Sequence, residues 1–371
     1  QFSINNNNDF SHEVMEAMSG CLACKACASQ CPIKVDVPDF KARFVNLYHT
    51  RYFRPLKDHL VANVEILAPL MAKAPTVINK VISSKIYEKI SNATIGYVNT
   101  PLLSVPTLES SVNLGIEKGI YEKFDLTNLQ EMSLEDRAER VIIVQDPFTS
   151  FYDAQTVSAM MQLAYKLGFI PVLLPFTPNG KAQHVKGFLS RFAKTAKNSA
   201  DLLNKIHSLA IPMVGVDASL VLCYRDEYKS VLADKRGDFQ VLLSHEWLNG
   251  VVKNKQLSIT KTKDVTYKLF AHCTEKTALP NSENEWLMIF TNFGLSLDKV
   301  AVGCCGMAGT YGHEKSNFDN SKSLFELSWQ QRLKGLAAEQ ILATGFSCRS
   351  QVKRLEAVKS RHPVEVLLSY L

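Results

Sequence analysis

The stretch CLACKACASQCP, residues 21–32, places four of the nine cysteines of the chain within eleven positions. Two residues separate the first three cysteines, three residues separate the third from the fourth, and a proline follows directly. This spacing turns successive thiolates toward one small object, and the small residues between them let the backbone approach it. The pattern is typical of an iron–sulfur ligand run, and its members are Cys21, Cys24, Cys27 and Cys31.

A zinc site and a pair of disulfides are the two other interpretations of this run. Zinc sites usually combine two neighbouring ligands with two distant ones, so four cysteines this close together favour a cluster. The spacing is that of a bacterial ferredoxin, in which the fourth cysteine of a run can bind a second cluster. Because the chain has no second run of this kind, the sequence leaves open whether Cys31 closes the first cluster.

Composition restricts the class of function. The chain has 371 residues, enough for two or three domains, and its 42 basic and 36 acidic residues give a formal net charge of +6. Without a basic block that contains aromatic residues, nucleic-acid binding is not expected. A mild positive excess is compatible with acidic substrates or with an acidic redox partner.

The distribution of apolar residues and cysteines predicts the location of the protein. No apolar run of about 18 residues could span a bilayer, and polar residues interrupt the best candidate, residues 61–82. Cysteines in metal-like spacing without a secretory leader indicate a reducing compartment. We expect a cytoplasmic protein, with peripheral association at the inner face of the membrane left open, and a chain that belongs to a longer protein.

The predicted elements divide the chain into four segments. Helical periodicity predicts a small α-helical ferredoxin domain over residues 1–95, and the glycine and proline content of residues 96–139 predicts an extended linker. From residue 140 onward, short β-branched runs alternate with helices, which indicates an α/β fold with parallel sheets. The expected strands are 141–144, 171–174, 220–222, 240–243, 266–271 and 299–302. The expected helices are 154–167, 182–209, 282–293 and 316–333.

A second group of cysteines lies in the last third of the chain. Cys273 ends a predicted strand, Cys304 and Cys305 are adjacent and precede Gly306, and Cys348 precedes a predicted helix. We expect the four thiols to meet at one edge of a sheet, where Gly306 lets the backbone bend tightly. The site would hold a second cluster or a structural zinc ion, and the sequence does not distinguish them. A redox-active thiol pair and ordinary buried cysteines are the two further alternatives.

Three neighbouring polar residues were also considered as ligands of this group: His272, His313 and Glu314. Residues of these types are more often packing or surface residues than ligands, so none of the three is predicted to bind a metal.

The spacing of the second group recurs earlier in the chain, which predicts two copies of one α/β unit, residues 140–262 and 263–371. Offsets of 127, 125 and 125 residues relate the matched positions: Asp146 with Cys273, Asn179–Gly180 with Cys304–Cys305, and Cys223 with Cys348. The first copy has lost most of its thiols, and Cys223 is expected to be buried and not a ligand. The alternative is a pocket for a carboxylate or for a partner's surface, lined by Asp146, Asn179, Lys181 and His184.

These motifs resemble known families. Cys273, the Cys304-Cys305-Gly306 sequence and Cys348 look like the cysteine-rich CCG domain. That domain occurs twice in heterodisulfide reductase and in the iron–sulfur subunits of glycolate oxidase and anaerobic glycerol-3-phosphate dehydrogenase, where it follows a ferredoxin module. The family pattern ends in C-x-x-C, whereas this chain has Gly345 at the first of those two positions.

Three further stretches resemble, more narrowly, the C-terminal half of large bacterial FAD-linked oxidoreductases similar to D-2-hydroxyglutarate dehydrogenase: residues 146–153 (DPFTSFYD), 178–187 (PNGKAQHVKG) and 343–351 (ATGFSCRSQ). In that family an FAD-binding part precedes the ferredoxin and CCG parts in one polypeptide.

The resemblance implies the iron–sulfur electron-transfer portion of an FAD-linked enzyme that oxidises a D-2-hydroxy acid. A 4Fe-4S cluster at the first cysteine run would pass electrons from the flavin to a quinone or a soluble carrier. The chain has no Gly-x-Gly-x-x-Gly, so we expect it to lack the FAD site and the substrate-oxidising site, which a fused or separate FAD-binding domain would supply. The alternative is a stand-alone subunit that docks a separate flavoprotein, with the second cysteine group as a zinc or thiol scaffold.

Overall fold

The computed structural model describes residues 9–253, 255, 257 and 265–371, and its first part is helical as predicted. Capping explains two of the helix starts: the Asp36 side chain accepts a hydrogen bond from the Asp39 backbone, and the Ser84 hydroxyl accepts one from the backbone of Tyr87. The helices of this region are α1 Ser11–Ser19, α2 Ala26–Gln30, α3 Val37–Tyr48, α4 Leu56–Ala62, α5 Val64–Met71, α6 Pro75–Ile82 and α7 Lys85–Thr94.

Residues 96–139 are not the extended linker that we expected. They contain α8 Leu108–Glu117, β1 Glu122–Lys123, α9 Leu126–Glu131 and α10 Leu134–Ala138. Gly115 suggested a loop, but it lies within α8 because the helix packs closely on Tyr121. A Cβ atom at this position would lie 2.2 Å from the tyrosine ring. The glycine therefore serves packing and does not break the helix.

A five-stranded parallel sheet follows, with the strand order β1-β3-β2-β4-β5. Its further strands are β2 Arg140–Val144, β3 Ile170–Leu173, β4 Met213–Gly215 and β5 Leu242–Leu243. Its helices are α11 Pro147–Tyr152, α12 Ala154–Lys166, α13 Lys181–Val185, α14 Leu189–His207, α15 Ala218–Arg225, α16 Glu227–Leu232 and α17 Ser244–Val252, with a 3-10 turn at Ala233–Arg236. Alternate residues of β2 enter two different cores, one with α12 and one with α14, so helices cover both faces.

The second sheet has three parallel strands in the order β7-β6-β8. They are β6 Thr266–Phe270, β7 Ser296–Lys299 and β8 Ile341–Ala343. The surrounding helices are α18 Cys273–Ala278, α19 Ser282–Asn292, α20 Phe318–Phe325, a π-helical segment Glu326–Gln330, α21 Gln331–Leu333, α22 Phe346–Glu356 and α23 Pro363–Leu368. Short 3-10 turns lie at Tyr311–His313, Lys315–Asn317 and Ala338–Gln340. The predicted α/β fold with parallel sheets is confirmed.

Three elements differ from the sequence predictions. Residues 220–222 belong to helix α15 and not to a strand, because a short apolar run fits a buried helix as well as a buried strand. The strand predicted at 299–302 lies earlier, since β7 ends at Lys299. The helix predicted over 182–209 is two helices, because the chain turns at Gly187 with a φ of 68°.

The two sheets have equivalent centres. Strands β3-β2-β4 and β7-β6-β8 share the same order and direction. Their registers also match: Arg140 pairs with Ile170, and the residues 126 positions further along, Thr266 and Ser296, pair with each other. This correspondence is the one expected of two copies of a single unit.

The helical region carries most of the exposed apolar side chains. Of the 20 large apolar residues that the described chain exposes, 15 lie between Phe10 and Val105. Helices α5, α6 and α7 each expose two aliphatic residues four positions apart: Ile66 and Leu70, Val77 and Val81, and Ile86 and Ile90. Within the described residues, no helix is long and apolar enough to cross a membrane.

Candidate functional site

The second cysteine group converges beside the three-stranded sheet. Cys273 begins α18 after β6, Cys304 and Cys305 lie in the loop after β7, and Cys348 lies in α22 after β8. Thiol hydrogen bonds join Cys273 to Cys304, Cys304 to Cys305, and Cys305 to Cys348. The structure therefore brings together all four cysteines that the sequence singled out.

Gly306 has the conformation that the sequence predicted for it. Its φ is 83°, which few residues other than glycine adopt, and a Cβ atom here would lie 2.2 Å from the carbonyl oxygen of Ser321. Its backbone N–H donates to Cys304 Sγ at 3.3 Å. The glycine thus sets the path of the loop that carries the adjacent cysteines.

These thiols are poor acids in their surroundings. The hydrogen bond with Cys304, and then burial, raise the pKa of Cys273 well above its ordinary value. For Cys304, the hydrogen bond with Cys273 lowers the pKa, but the contact with Cys305 and burial outweigh it and raise the pKa to about 12. A thiolate here requires a compensating positive charge, which is what a metal centre supplies to its ligands.

The first cysteine run lies on a tight loop and on α2. Cys21, Cys24, Cys27 and Cys31 are all partly exposed, and the intervening Lys25 has a left-handed φ of 59°. The backbone N–H groups of residues 35, 33 and 34 donate to the Cys31 sulfur, and they lower its pKa. Backbone N–H groups directed at sulfur are also a feature of iron–sulfur sites, where they tune the reduction potential.

Neither cysteine group surrounds a position for a single metal ion. No three His, Cys, Asp or Glu side chains within residues 9–253, 255, 257 and 265–371 surround a position for a single ion. This finding gives no support to a zinc ion in either group. Both donor sets consist of thiols alone, and thiolates are ligands of iron–sulfur clusters as well as of zinc. The residues that would hold such a group are Cys21, Cys24, Cys27 and Cys31 in the first run, and Cys273, Cys304, Cys305 and Cys348 in the second.

A cavity of about 360 Å³ lies between the two groups. Cys21 lines one part of it, and Cys273, Cys304 and Cys305 line another. Four lysines also line the cavity: Lys41, Lys57, Lys181 and Lys186. Cysteines from two groups that are more than 240 residues apart in sequence thus line one space.

Carboxylates hold three of these lysines in place, and one of the three is Lys181, which pairs with Glu227. Lys186 Nζ lies 2.9 Å from Glu314 Oε1 and 3.0 Å from Asp58 Oδ1, and Lys57 Nζ lies 2.6 Å from Glu314 Oε2. Burial lowers the pKa of Lys186, but Glu314 and Asp58 outweigh it and raise the pKa above its ordinary value. The lysine is therefore charged, and the network joins the helical region to both sheet units.

Lys41 differs because no carboxylate pairs with it in the described chain. Its Nζ donates to the carbonyl oxygen of Cys21 at 2.9 Å. Burial lowers its pKa.

The chain is similar to D-2-hydroxyglutarate dehydrogenases. It is 55% identical over 363 residues to the enzyme of that name from Escherichia coli (strain K12), and 50% identical over 371 residues to the one from Haemophilus influenzae. Both matches cover 98% of this chain but only 35% and 36% of the relatives, so the chain spans about a third of their length.

A more distant similarity concerns half of the chain. It is 25% identical over 194 residues to one of the subunits of the anaerobic glycerol-3-phosphate dehydrogenase of Escherichia coli, and the match covers 50% of this chain and 47% of that protein. No protein-family model and no solved structure matches the chain.

The polar residues singled out in the first sheet unit do not share one role. Of Asp146, Asn179, Lys181 and His184, only Lys181 lines the cavity. Asp146 caps α11 by accepting hydrogen bonds from the backbones of Phe148 and Thr149, both at 2.8 Å. Asn179 donates its backbone N–H to Glu65, and His184 packs on the ring of Phe192. Cys223 is fully buried, as predicted.

Sequence reasoning missed the residues that surround the cavity. Asp58, Lys57 and Lys186 were not singled out, and Glu314 was noted only as an improbable ligand. In the structure Glu314 serves as an ion-pair partner of two lysines. No local pattern identifies these residues, because each pair joins positions more than 100 residues apart.

Proposed function

We propose that this chain is the iron–sulfur electron-transfer portion, the C-terminal part, of a longer FAD-linked oxidoreductase that oxidises a D-2-hydroxy acid resembling D-2-hydroxyglutarate. The observation that carries the proposal is the shared cavity, which brings Cys21 of the first run and three thiols of the second group to one space. Similarity to D-2-hydroxyglutarate dehydrogenases over 98% of the chain supports the substrate class.

The role of each residue set follows from its chemistry. Cys21, Cys24, Cys27 and Cys31 would hold a 4Fe-4S cluster, which supplies one-electron transfer when bound. The second cysteine group would hold another cluster. Lys41, which donates to the carbonyl oxygen of Cys21 and has no carboxylate partner in the described chain, brings a positive charge next to the first run, and this charge favours the anionic sulfur. The Glu314 and Asp58 carboxylates neutralise and orient Lys57 and Lys186.

The exposed apolar residues of the helical region support a partner on that side of the molecule. Contiguous apolar surface is typical of an interface, and Ile33 and Val35, 81% and 44% exposed, follow the last cysteine of the first run. In the proposed enzyme the FAD-binding part docks here. An arrangement of this kind lets electrons from the flavin reach the first cluster directly.

A stand-alone subunit that docks a separate flavoprotein is the alternative architecture. The length of the relatives favours fusion, because the chain matches 98% of itself within single polypeptides about three times as long. The electron acceptor in our proposal is a quinone or a soluble carrier, and the protein is cytoplasmic.

Metal and acid-labile sulfide analysis of anaerobically purified protein, with EPR after dithionite reduction, tests the proposal. A Cys273→Ser variant reports on the second group, and a Cys223→Ala variant is the control, since that cysteine is buried outside both groups. We expect about eight irons per chain and an EPR signal that changes in Cys273→Ser alone. About four irons with an unchanged signal would restrict the cluster to the first run. Absence of iron would overturn the proposal.

A further inference from the structure

A second cavity, of about 520 Å³, shares no residue with the cavity between the cysteine groups. It lies where α7, the end of α11 and the helix α22 meet. Phe346, Arg349, Ser350 and Lys353 of α22 line it, at the spacing of one helical face. Cys348, on the same helix, belongs instead to the buried core on the other side. Helix α22 therefore separates this cavity from the second cysteine group.

Three buried polar groups that line this cavity make no hydrogen bond within the part of the chain that the structure describes: the Tyr97 hydroxyl, the Ser360 hydroxyl and the Arg354 Nε–H. Ser360 is 4% exposed. Buried polar groups without partners are unfavourable and uncommon, so each calls for a water or a ligand that completes it.

Cationic side chains gather next to these groups. Lys353, Arg354 and Lys359 line the cavity, and none of them forms an ion pair in the described chain. Arg354 uses its terminal nitrogens to bind the Gly312 carbonyl and the Ser321 hydroxyl, and Lys359 donates to the Gln155 side chain at 2.7 Å. Positive charge therefore collects at the C-terminal end of α22 and in the loop that follows.

Three carboxylates of the cavity offset part of this charge. Asp153 forms an ion pair with Arg349, at 2.7 Å between Oδ2 and Nη2. Glu365 accepts hydrogen bonds from the Thr156 hydroxyl and from the backbone of His362. Glu88 lines the cavity and is exposed, as are Lys353 and Lys359.

Aromatic side chains form part of the remaining walls, next to aliphatic and polar residues. Tyr87, Tyr152 and Phe346 line the cavity, and Phe346 is held by stacking on Phe148 with a centroid distance of 5.7 Å and an interplanar angle of 12°. Flat apolar walls with a few convergent polar groups are typical of small-molecule sites. Here four cationic side chains outnumber three carboxylates, and the unpartnered polar groups can donate, which favours an anion.

We propose that this cavity binds a small organic anion, with a carboxylate or phosphate group attached to a flat apolar body. The Lys353 ammonium, the Arg354 Nε–H and the Ser360 hydroxyl contact the anionic group, and Tyr87, Tyr152 and Phe346 contact the body. The site is independent of the electron-transfer role proposed above, since it uses none of the cysteines.

Isothermal titration calorimetry with four probes tests this site: phenyl phosphate, benzoate, inorganic phosphate and the neutral benzyl alcohol. We expect phenyl phosphate or benzoate to bind at least tenfold more tightly than benzyl alcohol and inorganic phosphate. Lys353→Ala and Ser360→Ala should each weaken that binding about tenfold, the effect of losing one charge-assisted or buried hydrogen bond. Lys334→Ala, which removes an exposed lysine away from the cavity, should leave the affinity unchanged.

Lys353 is exposed, so its alanine variant should keep the melting temperature of the parent and report on binding alone. Failure of both organic anions to bind would overturn the proposal. If benzyl alcohol binds as tightly as the organic anions, the cations do not contribute to recognition. If inorganic phosphate binds as tightly, the aromatic walls do not contribute. If Lys334→Ala weakens binding as much as Lys353→Ala does, the anion is attracted by the overall charge of the protein and not bound at this site.

Discussion

Lys25 and Glu227 form an ion pair with 3.2 Å between Nζ and Oε1, although 202 residues separate them in the sequence. Lys25 lies between the second and third cysteines of the first run, and Glu227 begins α16 beside the five-stranded sheet. The Glu227 side chain is 3% exposed, and it also binds Lys181. Burial alone would raise the pKa of Glu227, but Lys181 and Lys25 lower it to about 2. The first cysteine run is thereby attached to the first sheet unit.

Lys25→Met should destabilise the chain by about 2 kcal/mol, because it leaves Glu227 buried with one cation instead of two. The matched control is Lys34→Met. Lys34 also has a positive φ and lies next to the run, but it is exposed and forms no ion pair in the described chain. Urea unfolding measures both variants, and we expect the control to change by less than about 0.5 kcal/mol. Equal effects in both variants would mean that the Glu227 pair does not hold the run.

Gly306→Ala should destabilise the second cysteine group far more than Gly309→Ala. Both glycines have a positive φ, of 83° and 64°, so both substitutions carry the backbone cost of about 1–2 kcal/mol. Only at Gly306 does the new Cβ atom collide, at 2.2 Å from the Ser321 oxygen, whereas nothing lies within 4 Å at Gly309. We expect a total loss of about 3 kcal/mol or more for Gly306→Ala in urea unfolding. Similar losses at the two positions would contradict the packing argument.

The stability of the chain should depend on Asp146 between pH 4 and 7. Burial and then the neighbouring Asp217 raise the pKa of Asp146 from 3.8 to about 7. The folded state keeps this proton over a range in which the unfolded chain has lost it, so the contribution of Asp146 to stability falls as the pH rises from about 4 to 7. Asp146→Asn can still cap α11 but cannot titrate. The unfolding free energy of the variant should therefore fall by about 1–3 kcal/mol less than that of the parent over this pH range.

Unfolding free energies of the parent and of Asp146→Asn at pH 5 and pH 8 measure this effect. Relative to the parent, the variant should have a higher unfolding free energy at pH 8 than at pH 5. Thr156→Val is the control, because it removes a buried hydroxyl that does not titrate. Its effect on the unfolding free energy should be the same at both pH values. A difference between parent and Asp146→Asn that is the same at both pH values would contradict the prediction.

The isolated chain should self-associate through its exposed apolar helices. Ile86 and Ile90 of α7 are 73% and 57% exposed, and an uncovered apolar face of this kind favours association in water. The double variant Ile86→Glu, Ile90→Glu should lower the weight-average mass at high protein concentration in sedimentation equilibrium. Leu327→Glu, at a residue that is 82% exposed elsewhere on the surface, is the control. A parent chain that stays monomeric at all concentrations would argue against this face as an interface.

Local sequence was sufficient to identify the first cysteine run, the tight backbone bend at Gly306 and strands β2, β3 and β6. The spacing of ligands along a short segment and the identity of a glycine are properties of a few neighbouring residues, so the sequence displays them directly. The sequence also showed the constant spacing between the matched positions of the two units. In the structure the two units have the same strand order and register, with Arg140 and Thr266 in equivalent positions.

Where local signals were ambiguous, the predictions failed. Residues 220–222 are apolar whether they form a strand or a buried helix, and only their position between the sheet and the neighbouring helices selects the helix. The glycines and prolines of residues 96–139 indicated an extended linker. The segment instead contains helices such as α8, because Gly115 is required for close contact with Tyr121 and not for a turn.

The sequence alone determined which residues could act as sulfur ligands and that the last 230 residues alternate between strands and helices. Only the tertiary structure decided that Cys21 and Cys273 line one cavity, that Lys186 pairs with both Glu314 and Asp58, and that Ser360 is buried with no partner among the residues that the structure describes. These relationships join distant parts of the chain. They depend on the free energy of burying one surface against another, which no local spacing or periodicity specifies.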